Sequence, residues 1–276
     1  MKIAIVGLGL MGGSLALSLK KLDFISEIVG SDHNEKHQEE ALQLGLVHKF
    51  VPFEELKNYD VIILAIPVNA IIAALQKLTD ISEETTIIDL GSTKEIILDS
   101  IPSKIRKNFV AAHPMTGTEN FGPYAALEGL YEDKVVVLCD LEESGELQGE
   151  IAKKIFRSIG MKKYFMKSHE HDRHAAFISH MPHAIAYSLA NTVMKQENKR
   201  NILLLAAGGF RSMSRLAKSS PTMWEDIFKQ NKKNLLEAIE LFEGELGSLK
   251  HSIKNDEWEK VNRALKQGGE LHNILD

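Results

Sequence analysis

Near its beginning the chain reads Lys2-Ile3-Ala4-Ile5-Val6-Gly7-Leu8-Gly9-Leu10-Met11-Gly12-Gly13-Ser14. The continuous apolar run Ile3–Val6 has the character of a strand buried on both faces. A G-x-G-x-x-G turn follows it directly, and Ser14 to Lys21 continues with helical patterning. Each glycine has a physical task in such a turn. Gly7 permits the tight bend, Gly9 lets the backbone approach a pyrophosphate, and Gly12 lets helix pack closely on strand. The helix N-terminus, through Leu10 and Met11, then offers N–H groups and the positive end of its dipole to phosphate.

Working outward, Glu27–Gly30 forms a second strand that ends at Ser31-Asp32, about 20 residues beyond the glycine turn. A carboxylate there accepts hydrogen bonds from both ribose hydroxyls and repels a 2′-phosphate, so Asp32 in this context favours NAD over NADP. Further strands are expected at Val61–Ile66, Thr85–Leu90, Phe109–Ala112 and Lys134–Leu138, with helical segments between them. The alternation implies βαβ units. The expected fold is therefore a Rossmann-type, doubly wound α/β domain with a mainly parallel sheet, whose ligands bind beyond the carboxyl ends of the strands. At the end of the Val61 strand, Pro67 either brings backbone close to a cofactor or starts the next helix.

The pattern changes after about residue 166. From Ser168 onward the apolar spacing is helical throughout, giving a domain division of 1–166 and 167–276. Ser220-Pro221 reads as an N-cap with proline at the first helical position. Trp224, Phe228, Asn231, Leu235, Phe242, Leu246 and Leu249 continue an apolar stripe on one long helix, suited to a helical core or a subunit interface.

With 276 residues and a net charge of −5, and with no run of Lys and Arg standing out, the chain gives no electrostatic case for a nucleic-acid partner. The apolar run after Lys2 is interrupted by four glycines, unlike a secretory signal, and no stretch suits a membrane span. A lone cysteine, Cys139, lies in the apolar run Val135–Cys139, as expected of a buried strand in a reducing compartment. These features point to an unprocessed, soluble, cytoplasmic protein. Five histidines fall between His169 and His183, yet no carboxylate or cysteine accompanies His180 and His183 at a helical offset, so no metal site is expected.

Two strand ends carry chemistry-bearing residues: Asp89-Leu90-Gly91-Ser92-Thr93-Lys94 and His113-Pro114-Met115-Thr116-Gly117-Thr118-Glu119. An imidazole at His113 can take a hydroxyl proton as the attached carbon loses hydride, and Ser92 can orient it. Alone, a histidine before proline is more often structural than catalytic, and the loop position on a cofactor domain shifts that balance modestly. His180-Met181-Pro182-His183 lies in a helix interrupted by proline. Gly208 to Arg215 joins two helices and offers the guanidinium groups of Arg211 and Arg215, either surface charges or forks for a carboxylate.

Together these motifs resemble the prephenate dehydrogenase family along nearly the whole chain: Gly7-x-Gly9-x-x-Gly12 with Asp32, Asp89-x-Gly91-Ser92-x-Lys94, His113-Pro114-x-x-Gly117-x-Glu119, Ser179-His180-x-Pro182-His183, and Gly208-Gly209-Phe210 to Arg215 with Ser220-Pro221-x-Met223-Trp224. The resemblance implies an NAD-dependent enzyme that decarboxylates prephenate oxidatively to 4-hydroxyphenylpyruvate in tyrosine biosynthesis. It assigns His113 and Ser92 to catalysis, Arg215, His183, Glu119 and Thr118 to the substrate pocket, and homodimerisation to the C-terminal helices. Family members often carry an acidic residue where Ser212 stands. An arogenate dehydrogenase would show the same motif residues. A β-hydroxyacid dehydrogenase would use a lysine base, for which no helical lysine stands out. A non-catalytic NAD-sensing module would need the glycines and Asp32 but not His113, Ser92 and Arg215 together.

Overall fold

The computed structural model describes residues 1–275. Two compact units divide it, Met1–Asn231 and Lys232–Asp276. The first contains eight strands: β1 (Lys2–Val6), β2 (Glu27–Ser31), β3 (Lys49–Phe50), β4 (Val61–Leu64), β5 (Thr86–Asp89), β6 (Phe109–Pro114), β7 (Val135–Cys139) and β8 (Lys162–Met166). They form one sheet in the order β3-β2-β1-β4-β5-β6-β7-β8. Every neighbouring pair is parallel except β6 with β7. Helices α1 (Leu10–Leu19), α2 (Glu35–Gln43), α3 (Val68–Lys77), α4 (Glu95–Asp99) and α5 (Glu146–Ser158) make the crossovers. This is the Rossmann-type arrangement expected from the opening stretch.

The continuous apolar strands behave as their composition demands. Along β1, Ile3 and Ile5 enter one core cluster with Leu15, Ile63 and Ile88, while Ala4 and Val6 enter another with Ile62, Leu64 and Ile87. Successive side chains alternate between faces, so a strand covered on both sides must be apolar at every position. Two strands escaped the sequence reading. β3 has only two residues, and β8 exposes Tyr164 and Phe165 at the sheet edge, so neither shows a buried run.

Helices α6 (Ser168–Ala175), α7 (Met181–Met194), α8 (Lys199–Leu204), α9 (Gly208–Ser214) and α10 (Pro221–Gln230) complete the first unit, and α11 (Lys232–Lys254), α12 (Trp258–Gly269) and α13 (His272–Leu275) form the second. Among the described residues, no helix is long and apolar enough to cross a membrane.

Several local expectations need correction. The first helix begins at Leu10, directly on the glycine turn, rather than at Ser14. His113 belongs to β6 itself, which runs on to Pro114, instead of following the strand. Gly208–Ser214 is a helix, not a connection; its two glycines sit in the first turn, with open space where a side chain would stand. The long helix after Pro221 is two helices broken at Asn231, whose side chain turns to bond Asp172. The irregularity before Pro182 is a π turn over Ala176–His180. Proline has no N–H to give the Ile178 carbonyl and its ring crowds that oxygen, so the preceding turn widens.

At the winding reversal between β1 and β4 backbone packs closely on backbone. Gly7 has φ +87°, and a Cβ there would lie 2.5 Å from the Ala65 carbonyl oxygen. A Cβ on Gly12 would run into the Gly7 carbonyl oxygen. Gly9 differs: its nearest obstacle would be the Gly122 nitrogen at 3.9 Å. Gly12→Ala is therefore expected to destabilise the fold by about 1–3 kcal/mol in urea denaturation, the usual cost of forcing extra volume into packed surroundings. Gly9→Ala should leave the urea midpoint nearly unchanged.

Candidate active site

The open space over Gly9 faces the start of α1. Gly9 caps that helix without a side-chain bond, and the first turn carries no acidic residue, so the positive end of the helix stays available to an anion. A dinucleotide's pyrophosphate fits this cradle, in which Gly7 and Gly12 clear the backbone and Gly9 leaves room above it. Asp32 follows the last residue of β2. Its carboxylate accepts hydrogen bonds from the backbone N–H of Leu8 (3.2 Å) and Asn34 (2.9 Å), fixing it beside the glycine turn. The side chains of His33 and His37 lie 3.7 and 3.8 Å from its oxygens. Pro67 precedes α3 as its N-cap residue, at the carboxyl end of β4.

At the end of β5 lies a buried ion pair. Lys94 and Asp89 are both wholly inaccessible, and the Lys94 ammonium donates to the Asp89 carboxylate and to the Ala112 carbonyl (2.8 Å). Asp89 also accepts from the backbone N–H of Gly91 (2.9 Å) and Ala112 (3.2 Å). Burial pushes the Asp89 pKa upward, while Lys94 and the two N–H groups oppose that shift. The cluster ties β5 to β6 immediately before His113. Ser92 lies on the same loop, partly exposed and without a hydrogen bond to any described residue.

His113 Nδ1 sits 2.8 Å from Nε2 of His171 on α6, and His171 Nδ1 sits 2.8 Å from Asp172. Asp172 in turn accepts from the backbone N–H of Lys94 (2.8 Å) and Glu95 (3.0 Å). The Asn231 side chain donates to the Asp172 carbonyl (2.6 Å) and to His180 Nδ1 (3.1 Å). Desolvation, helped by His171 and Lys94, holds the His113 pKa well below the usual histidine range. Burial likewise lowers His180, to about 4.

His183 stacks on Trp224 with ring centroids 3.5 Å apart, and its Nδ1 donates to the Ser179 carbonyl (2.9 Å). Its pKa is lowered by desolvation, with a further push from the Arg215 charge. Arg215 follows α9 and pairs with Glu119 across 3.1 Å. The Glu119 carboxyl is held low by its own backbone N–H and by Arg215. Thr118 accepts a hydrogen bond from the Asn120 N–H (3.2 Å) on the same segment. Arg211 instead bonds the Ala206 carbonyl at its own helix start (3.0 Å).

The fold thus joins Glu119 to Arg215, sets Arg215 near His183, and links His113 to α6. Sequence reading had counted His171 only as one of five histidines and had passed over Asp172. The signal available was an adjacent His-Asp pair in the middle of a polar helix, which periodicity treats as a solvated face.

Residues 15–165 match the family model described as the nucleotide-binding domain of prephenate dehydrogenase, and residues 167–267 match its dimerization domain. The chain belongs to the prephenate dehydrogenase family. Within that family it is 33% identical to the prephenate dehydrogenase of Bacillus subtilis (strain 168) over 273 residues, which cover 96% of this chain and 73% of that protein. Its fold matches the crystal structure of prephenate dehydrogenase from Aquifex aeolicus, in complex with hydroxyphenyl propionate and NAD+, with a TM-score of 0.93 and 32% identity, covering 100% of this chain and 98% of that one. Synechocystis arogenate dehydrogenase matches at a TM-score of 0.83 and 26% identity, over 100% of both chains. Family membership accounts for the pairing of a nucleotide-binding sheet with a helical C-terminal region.

The buried pair beneath His113 gives a direct test. Lys94→Met leaves Asp89 without its counter-ion in apolar surroundings, and the expected cost is about 3–5 kcal/mol. A urea denaturation midpoint close to that of the unaltered protein would contradict this account of the cluster.

Proposed function

We propose that this protein is an NAD-dependent prephenate dehydrogenase, converting prephenate to 4-hydroxyphenylpyruvate and CO2 in the cytoplasm. The observation that carries the reading is His113, presented at the carboxyl end of β6 and backed on its Nδ1 side by His171. Residues 1–166 hold the dinucleotide, through Gly7, Gly9, Leu10, Met11, Gly12, Asp32 and Pro67. Residues 167–276 supply Arg215 and His183 and pair two chains into a homodimer, as the dimerization-domain match supports.

Bound NAD supplies a nicotinamide ring able to accept hydride. His113 takes the proton of the ring hydroxyl at Nε2 while hydride leaves the carbon that bears the hydroxyl. Loss of CO2 from the ring carboxylate then restores aromaticity, so the reaction runs one way. Ser92 helps position the hydroxyl and the imidazole. Because His113 stays neutral well below the usual histidine range, it is ready to accept a proton at neutral pH.

Arg215 binds a substrate carboxylate, with His183, Thr118 and Glu119 lining the same pocket. In this reading the guanidinium exchanges Glu119 for the incoming carboxylate. The exchange costs little, since Arg215 is half-exposed and an exposed ion pair is worth about 0–1 kcal/mol. Arogenate, with an ammonium group in place of the side-chain keto group, is the second reading, supported by the full-length match to Synechocystis arogenate dehydrogenase. Turnover with each substrate in turn separates them.

His113→Asn is expected to abolish NADH formation, followed by absorbance, while NAD still binds; retained turnover would remove His113 from the chemistry. Arg215→Gln is expected to raise KM for the substrate far more than it lowers kcat. In the unaltered enzyme kcat/KM should fall only as pH drops below 6.5, because the base is lost when His113 gains a proton and its pKa lies beneath that value. An acid limb centred above 6.5 would contradict this assignment.

A further inference from the structure

The hydrogen bonds behind His113 run in one direction only. Both Asp172 oxygens are acceptors: one receives the Lys94 N–H and faces His171 Nδ1, and the other receives the Glu95 N–H. An ionised carboxylate can only accept, so the proton on the Asp172 side of His171 belongs to Nδ1 of that ring. A neutral His171 that carries its proton on Nδ1 presents a bare lone pair at Nε2. That atom lies 2.8 Å from His113 Nδ1, and the contact becomes a hydrogen bond only if His113 is the donor. His113 is then protonated on Nδ1 and bare on Nε2.

We propose that Asp172 and His171 form a relay that fixes His113 as the Nδ1–H tautomer and shares the positive charge His113 acquires during turnover, which makes both of them positioning residues for the reaction.

The charge pattern around the ring supports this. His113 lies close to the Lys94 ammonium, which is unfavourable to an imidazolium. Asp89 is committed to Lys94. Among the described groups facing His113, which are Lys94, Asp89, His171 and His180, none offers a free negative charge. Asp172 supplies one at second hand. When His113 Nε2 accepts the hydroxyl proton, the Nδ1 proton moves towards His171 Nε2, and the positive charge spreads towards the Asp172 carboxylate. As the site resets, the proton on His113 Nε2 passes to solvent and the shared one returns to Nδ1, so no proton is gained or lost by the relay.

Burial makes the relay specific. His171 and Asp172 are each 2% exposed, so water cannot replace a missing partner or offer the rings an alternative donor. Asn231 bonds the Asp172 carbonyl and His180 Nδ1, which restrains this turn of α6 from its other side.

The inference rests on His113 being the base, and its test keeps the two questions apart. Long-range 1H–15N correlation on 15N-labelled protein at neutral pH reads the tautomer directly, without reference to turnover. The unaltered protein should show His113 protonated on Nδ1; protonation on Nε2 instead would overturn the relay. Asp172→Asn removes the negative charge behind His171 and sets an amide N–H against the backbone N–H of Lys94 or Glu95, so the hold on the Nδ1–H form of His113 should weaken. The expected loss in kcat is about 10²–10⁴-fold, the scale of a well-placed base that has lost its support, with dinucleotide affinity unchanged.

Asp172 also anchors the backbone at Lys94 and Glu95, so His171→Leu provides a second variant that leaves those bonds alone. It should fold, lose kcat by about 10²-fold, and release His113 from the Nδ1–H form. Wild-type turnover in folded His171→Leu, with His113→Asn inactive, would discard the relay and keep His113 as the base. Wild-type turnover in His113→Asn would discard the base itself.

Discussion

A single buried ammonium registers the site. The side chain of Lys94 reaches the last residue of β5 and the backbone of β6, while its own N–H is taken by a carboxylate from α6. Sheet and helix are thereby brought to a common reference point one residue from His113. Removing a charge from water costs several kcal/mol, and the attraction to Asp89 roughly offsets that cost without a large surplus. The benefit is selection among arrangements: any shift of β6 against β5 would strand a charge among apolar side chains, so one register survives.

Around that point the site sets imidazole rings beside the Arg215 guanidinium. Burial lowers the pKa of His113, His180 and His183 alike. The guanidinium of Arg215 is a positive group available to an anion, and its partner Glu119 is only lightly committed because both are partly exposed. The stack of His183 on Trp224 sets a flat apolar wall beside it. A planar, negatively charged ring compound suits such surroundings.

The sheet was legible in sequence because a strand covered on both faces leaves an unbroken apolar run, as in Ile3–Val6 and Val61–Leu64. The glycine turn was legible for a related reason: Gly7 and Gly12 occupy places where a Cβ collides with backbone. β8 was not legible, since an edge strand with exposed Tyr164 and Phe165 has no such run. The break at Asn231 escaped because the residue that causes it is held by Asp172, 59 positions away. His171 and Asp172 escaped for the converse reason. Polar residues in a strongly polar helix look solvated until tertiary packing buries them. The pairing of Glu119 with Arg215, 96 positions apart, likewise belongs to the fold and not to any local pattern.

The one antiparallel step in the sheet, from β6 to β7, has a consequence for how such a protein can diversify. A parallel step would have carried the chain to the far end of the sheet through a covering helix. Reversal keeps the whole connection, residues 115–134, on the ligand side, where it bears Thr118 and Glu119. Leu127 and Tyr131 tether it to the first helix through Ser14 (2.9 Å) and the Met11 carbonyl (2.8 Å). Its span is set by those moorings and not by strand pairing, so residues could be added or removed between them without disturbing any ladder. Selectivity for what enters is thus free to drift while the scaffold beneath stays constant.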